Sequence, residues 1–180
     1  PGLTAGTTSS GSATVTIPSS MPLGTYYLLA CADELNAVAE TSETNNCLAS
    51  AATVAVNVTR PDLVETAVSN PPATAALGGT FKVTDTVRNQ GTVTAGASTT
   101  RYYLSPDRQK SIADVLLSGS LSVPSLTAGK TSRARTNVTI PTATPLGTYY
   151  LLACADDLGA VVELDETNNC LASASRVVVQ

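Results

Sequence analysis

Histidine and tryptophan are absent from these 180 residues, methionine and phenylalanine occur once each, and only 13% of the chain is charged. Without histidine the chain lacks the commonest general base, the commonest zinc ligand and the usual partner of a serine or cysteine nucleophile. Chemistries that depend on those groups are excluded, although carboxylate chemistry is not. Lysine and arginine number 10 against 14 acidic residues, a net charge of −4, and they are scattered. No basic stripe is offered to nucleic acid, which is therefore not an expected partner. No apolar run approaches the ~18 residues that a membrane-crossing helix needs, so no membrane span is expected in this chain. CxxC pairs are missing too, which removes the usual zinc and redox motifs.

What is present is 43% apolar residues, enough for a packed core, and a surface left to Thr, Ser, Ala and Asn. That surface suits a secreted β-protein better than a helical bundle, which wants Glu, Lys and Leu on its faces.

An internal repeat organises the sequence. Leu3–Asn57 and Leu126–Gln180 align without a gap at an offset of 123, with 37 of 55 positions identical. A period that long means an array of whole domains rather than a solenoid of small units. Residues 61–180 read as one complete module, and 1–58 match only the later half of it. The expectation is that 1–58 are the C-terminal half of a preceding module and that the chain is a piece of a longer protein. A domain-swapped or strand-complemented assembly is the alternative, because half a sandwich exposes its inner face and strand edges. Residues 59–60 form a short linker; with Val58 on one side and the stiffening Pro61 on the other, it predicts neighbouring modules that touch in a semi-rigid rod.

Within 61–180, short Thr- and Val-rich segments are punctuated by Gly and Pro every 8 to 15 residues, the pattern of an all-β sandwich. Strands are expected over Asp62–Val68, Thr80–Asn89, Ser98–Ser105, Val115–Val123, Thr131–Ile140, Thr148–Ala155 and Leu171–Val179, with one turn at Ser111–Val115. Val138 and Ile140 share a face opposite Asn137 and Thr139, as a half-buried sheet requires. One residue breaks the pattern. Asp85 falls on the same face as Phe81, Val83 and Val87, where a lone carboxylate is expensive. Either a bulge turns it outward or it pairs with a cation such as Arg101.

The ordered run PDLVETAV, FKVTDTVRNQGT, ASTTRYYLS, VPSLTAGKT and TPLGTYYLLACADDLGAVVELDETNN resembles the CARDB domain, a cell-adhesion-related domain found in bacteria. The likeness spans 61–180, and 1–58 match its later half. It implies an immunoglobulin-like antiparallel β-sandwich of about seven strands per module, arranged in tandem on a surface-exposed or secreted protein. It supplies no catalytic residues, and it does not explain the two cysteines in each copy.

Cys31 and Cys47 lie 16 residues apart, as do Cys154 and Cys170. Four cysteines allow three pairings. The equal spacing favours Cys31–Cys47 and Cys154–Cys170, each clamping an acidic hairpin, with cross-links between chains as the competing arrangement. Oxidised pairs require an oxidising compartment, in keeping with secretion.

The later hairpin carries Asp156, Asp157, Glu163, Asp165, Glu166, Asn168 and Asn169; the earlier one carries Asp33, Glu34, Glu40, Glu43, Asn45 and Asn46. Clustered oxygen ligands suit Ca²⁺, and Asp156, Asp157, Glu163, Asp165, Glu166 and Asn168 are the candidate ligands. The spacing matches no EF-hand loop, and the competing reading is a solvated turn in which Asn and Asp cap their own backbone. No other cofactor is expected. Paired carboxylates also raise a glycosidase, but with 4% aromatic residues and no tryptophan there is little to stack on a sugar. Asn57-Val58-Thr59 and Asn137-Val138-Thr139 fit the N-glycosylation pattern. The tyrosines come as adjacent pairs, 26/27, 102/103 and 149/150, so one of each is expected in the core and one on the surface.

These features predict a non-catalytic, extracellular structural or adhesive repeat of a longer surface protein, stalk or filament. Its expected partners are adjacent copies of the module, other chains of the same protein, or a cell-surface or glycan ligand. The alternative is an accessory module, binding carbohydrate or protein, in a secreted multidomain enzyme.

Overall fold

The computed structural model describes residues 2–18 and 20–180 and divides the chain into two compact units, Pro1–Val58 and Thr59–Gln180. The first unit contains one antiparallel hairpin, β1 (Gly24–Cys31) and β2 (Cys47–Val56). Its side chains are largely exposed.

The second unit holds β3 (Leu63–Val68), β4 (Thr74–Ala75), β5 (Thr80–Asn89), β6 (Ser98–Ser105), β7 (Val115–Val123), β8 (Thr131–Thr139), β9 (Gly147–Cys154) and β10 (Cys170–Val179). The strands hydrogen-bond in the order β3-β5-β8-β7-β6-β9-β10-β4. A single residue pair, Ser118 with Thr139, joins β7 to β8. The ribbon folds over at that point into a three-stranded sheet, β3-β5-β8, facing a five-stranded one. Gly119 makes the corner: its φ is +108°, and a Cβ there would run into the Asn137 carbonyl oxygen, so only glycine fits.

Period-two alternation decides which side chains enter the gap between the sheets. Val83 from β5 and Val138 from β8 meet Tyr102 and Leu104 from β6, Leu117 from β7, Leu151 and Ala153 from β9, and Val177 and Val179 from β10. A second cluster at one end joins Leu63, Val87, Ala95, Val123, Leu126, Ala155 and Val161. The fold is thus an all-β sandwich, as the Thr/Val periodicity implies.

The second unit has one strand more than the seven expected. The addition is the two-residue β4, which pairs in parallel with Val178 and Val179 and is too short to leave a periodic signal. Ser111–Asp114 forms the expected turn, the Ser111 N–H donating to Asp114 Oδ2 at 2.7 Å. Asp85 is a correction. It stays on the core face, neither bulged outward nor paired with Arg101, and accepts the Tyr102 hydroxyl at 2.6 Å. Arg101 instead reaches Asp157, at 3.4 Å. The tyrosine pairs are also only partly as expected. Tyr102 and Tyr103 are both buried, Tyr103 on the outer face of its sheet with Leu152 and Cys154.

The repeated sequence repeats its local chemistry. Tyr26 and Tyr149 each donate to a carbonyl four residues back, Pro22 and Pro145, at 2.9 Å. Ser50 and Ser173 each accept a backbone N–H across the hairpin, from Leu28 and Leu151 respectively, where the strand register shifts.

Candidate functional site

Both cysteine pairs close within their own hairpins. Cys31 bonds Cys47 and Cys154 bonds Cys170, and in each case the two residues are directly opposite one another in the antiparallel ladder. No free cysteine is found among the described residues. Cys31 and Cys47 lie near Glu34, but their sulfurs are consumed by the bond and offer no thiolate to a metal.

The Cys154–Cys170 clasp sets the base of the acidic ribbon 155–169, which packs against the start of β3. Asp156 takes a left-handed φ of 43°, a conformation that Asp tolerates when its side chain bonds locally. Its two carboxylate oxygens accept the N–H groups of Ala160 and Val161, at 3.0 and 2.8 Å. Asp33 repeats this cap on Ala37 and Val38, both at 2.8 Å. Further along, Glu166 Oε1 accepts the Glu163 N–H at 2.8 Å, and Asp165 caps Thr167. The Asx and carboxylate turns expected of a self-capped loop are therefore present.

Glu163 does something different. It is buried, and its Oε2 accepts the Leu63 N–H at 2.7 Å. Leu164 donates to the Pro61 carbonyl, and Asn168 Nδ2 donates to Asp62 Oδ1 at 3.0 Å. The ribbon thereby laces the first strand into place. Burial pushes the Glu163 carboxyl up to about 7; the Leu63 N–H opposes this, and the charges of Glu166, Asp156 and Asp62 add to it. On the other side of Asp62, Asn89 is fully buried and uses every hydrogen-bonding site. Its Oδ1 accepts from Asp62 and Gly91, and its Nδ2 donates to Val93 and Leu126.

Asp157 leaves the ribbon for the outer face of the five-stranded sheet. It accepts Lys110 Nζ at 2.7 Å and the Tyr103 hydroxyl at 2.5 Å, with Arg101 beside it. Lys110 also lies over the Tyr103 ring, 4.2 Å from its centroid, and Arg108 and Arg176 lie over Tyr150 at 4.8 and 4.5 Å. Between this cluster and the ribbon is a cavity of about 720 Å³, lined in part by Arg108, Lys110, Asp156, Glu166 and Asn169.

Of the six candidate calcium ligands, then, Asp156, Glu163, Glu166 and Asn168 sit on one turn system that meets β3, Asp157 is held by cations on the sheet's outer face, and Asp165 caps an exposed turn. Asn57 and Asn137 are both exposed. Sequence reasoning missed Asp62 and Asn89. It also missed Glu65, a second buried core carboxylate, which accepts the Thr100 hydroxyl at 3.1 Å. Burial, together with the charge of Asp85, pushes Glu65 up to about 8. A signal for Glu65 existed: it follows Leu63 by two residues and so shares its face. Glu65 and Asp85 are both enclosed between the sheets.

Two sheets folded over at a glycine corner, with a disulfide at the base of a ribbon that ties down the first strand, define an immunoglobulin-like β-sandwich module. The chain belongs to the CARDB family of cell-adhesion-related bacterial domains, whose profile matches residues 1–50 and 60–173. Among solved structures, it is similar to the CARDB domain of the PF1109 protein from Pyrococcus furiosus, crystallised in complex with di-metal ions. Identity there is 23%, over 69% of this chain and 97% of that one, with a TM-score of 0.47. The solution structure of the same domain gives 22%, 68%, 97% and 0.47. A β-glucosidase from Erythrobacter marinus matches at 15% identity over 67% of this chain and 16% of that one, with a TM-score of 0.41. No curated protein matches the chain.

Proposed function

We propose that this chain is a structural and adhesive tandem repeat working outside the cell, in which each half-module is covered by the complementary half of a module. One observation carries this reading. Positions that the repeat copies letter for letter are core in one unit and bare in the other. Leu151 is 0% exposed and its counterpart Leu28 is 51% exposed; Val138 is 0% exposed and Val15 is 64% exposed. The buried copies pack against β5, β6 and β7, so the bare copies are shaped for a stretch of the same kind as residues 61–125. Burying such a face is favourable at roughly 25 cal/mol per Å², and leaving it wet invites association. The intrachain disulfides and the sparsely charged surface suit an oxidising exterior.

Immunogold labelling of the native source, with antibodies raised against the full chain, is expected to decorate surface material or filaments. Label confined to the cytoplasm would overturn the reading. In assembled material, the amides of Tyr26–Val56 are expected to resist hydrogen exchange as well as those of Tyr149–Val179. Rapid exchange there would mean that the face stays uncovered.

A further inference from the structure

Three of the buried polar atoms that lack any hydrogen-bond partner among the described residues lie on one short stretch: Glu163 Oε1, Asn168 Oδ1 and Asn169 Oδ1. All three are acceptors. Glu163 is 2% exposed and Asn169 8%. The Asn168 amide cannot be reversed to cure the defect, because its Nδ2 already donates to Asp62 Oδ1 and a flip would set oxygen against oxygen. Buried acceptors are ordinarily paired. Here the missing partners share one sign, and the neighbouring carboxylates of Asp62, Asp156 and Glu166 crowd negative charge around Glu163. A proton donor relieves one such acceptor at a time, whereas a hard cation takes several oxygens at once.

We propose that the turn from Glu163 to Asn169 binds a calcium ion, ligated by Glu163 Oε1, the free Oε2 of Glu166, and the amide oxygens of Asn168 and Asn169. The donor set is all hard oxygen, with one negative charge on each glutamate, and water completes the six to eight ligands that Ca²⁺ takes. The amides are essential to it: among the described residues, no three carboxylates of the ribbon come within 4.8 Å of one another. Asp157 and Asp165 are outside the site, since Lys110, Tyr103 and Arg101 hold the first and Thr167 the second. Because Glu163 and Asn168 also hold Leu63 and Asp62, the ion clamps the ribbon to the first strand. In the first unit Glu40, Glu43, Asn45 and Asn46 repeat the ligand types and spacing, and the Glu40 N–H donates to Glu43 Oε1 at 2.9 Å.

The test is calorimetric titration of the full, metal-free chain with CaCl₂, together with thermal melts in CaCl₂ and in EGTA. Saturable binding is expected at a Kd of ~10⁻⁴–10⁻³ M, the range of extracellular calcium modules, with a melting temperature higher in calcium and little response to Mg²⁺. Glu163→Gln removes one of the two ligand charges and is expected to weaken binding about tenfold or more, because ligand charge count sets calcium affinity. Glu166 is exposed, so Glu166→Gln folds whatever becomes of the buried variant, and it should weaken binding as well. Asp165→Asn should leave binding unchanged. No heat and no melting shift at about 10 mM calcium, well above that range, would overturn the site. So would an Asp165→Asn chain that loses as much affinity as Glu166→Gln, since that outcome marks a diffuse acidic surface.

Discussion

The Tyr102 hydroxyl donates to Asp85 Oδ2 at 2.6 Å inside the sandwich core, so a phenol on one sheet satisfies an acid on the other. Tyr102→Phe keeps the ring and removes the donor. Leaving a buried acceptor without its partner costs about 1–3 kcal/mol. Denaturant melts of the variant are expected to show that loss, and Asp85→Asn in the Tyr102→Phe background should recover part of it by removing the charge. A Tyr102→Phe chain as stable as the parent would mean that the pair contributes nothing.

Glu65 gives the core a pH dependence. Its carboxyl is raised from 4.5 to about 8, chiefly by burial. The folded state therefore holds the proton more tightly than the unfolded chain does. Stability from this group is full below about pH 4.5 and falls as pH rises to about 8, where it levels off. The loss is bounded at roughly 4–5 kcal/mol by the size of the shift, and water penetration reduces it. Glu65→Gln should flatten the stability profile between those limits. A wild-type profile that rises with pH over the same range would contradict the assignment.

Much of this was legible in the sequence, and the reasons are specific. Val138 and Ile140 alternate with the polar Asn137 and Thr139, so the two-residue period placed them in the core. Cys154 and Cys170 repeat the spacing of Cys31 and Cys47, which favoured pairing within each hairpin. Asp85 was legible as a residue on the apolar face, but its partner was not: Tyr102 comes from the opposite sheet, and no local spacing relates the two. Glu65 followed the same alternation from Leu63. Arg108 and Lys110, by contrast, lie on the 106–114 loop, whose fold over Tyr103 and Tyr150 has no period to read. The link from Asn168 to Asp62 spans 106 residues and is set by tertiary packing alone.

The Cys154–Cys170 bond closes a loop of 16 residues at the base of the ribbon. Replacing both residues with alanine should lower stability by about 3 kcal/mol and free the ribbon. Hydrogen exchange at Leu63 and Leu164, whose amides are held by that contact, should then rise more than exchange at Val83. Non-reducing gels should show a single monomer band; a ladder that collapses with thiol would place the bonds between chains instead.

Asn89 offers the sharpest test of how the module's first strand is held. All four of its side-chain bonds join backbone to backbone through one amide: Oδ1 receives the N–H groups of Asp62 and Gly91, and Nδ2 supplies the carbonyls of Val93 and Leu126. Asn89→Asp is nearly isosteric, so packing is preserved. The two donor bonds are lost, however, and a charge enters a site with no exposure, close to Asp62. The carboxylate can keep the Asp62 and Gly91 bonds, so the damage should fall on Val93 and Leu126, whose carbonyls would then face an oxygen. A loss of about 3 kcal/mol or more is expected near neutral pH. Protonating the new acid lets it donate one bond, so the deficit should shrink as pH falls toward about 4. A deficit that stays constant between pH 4 and 8 would show that shape alone, and not the donor pair, makes asparagine necessary there.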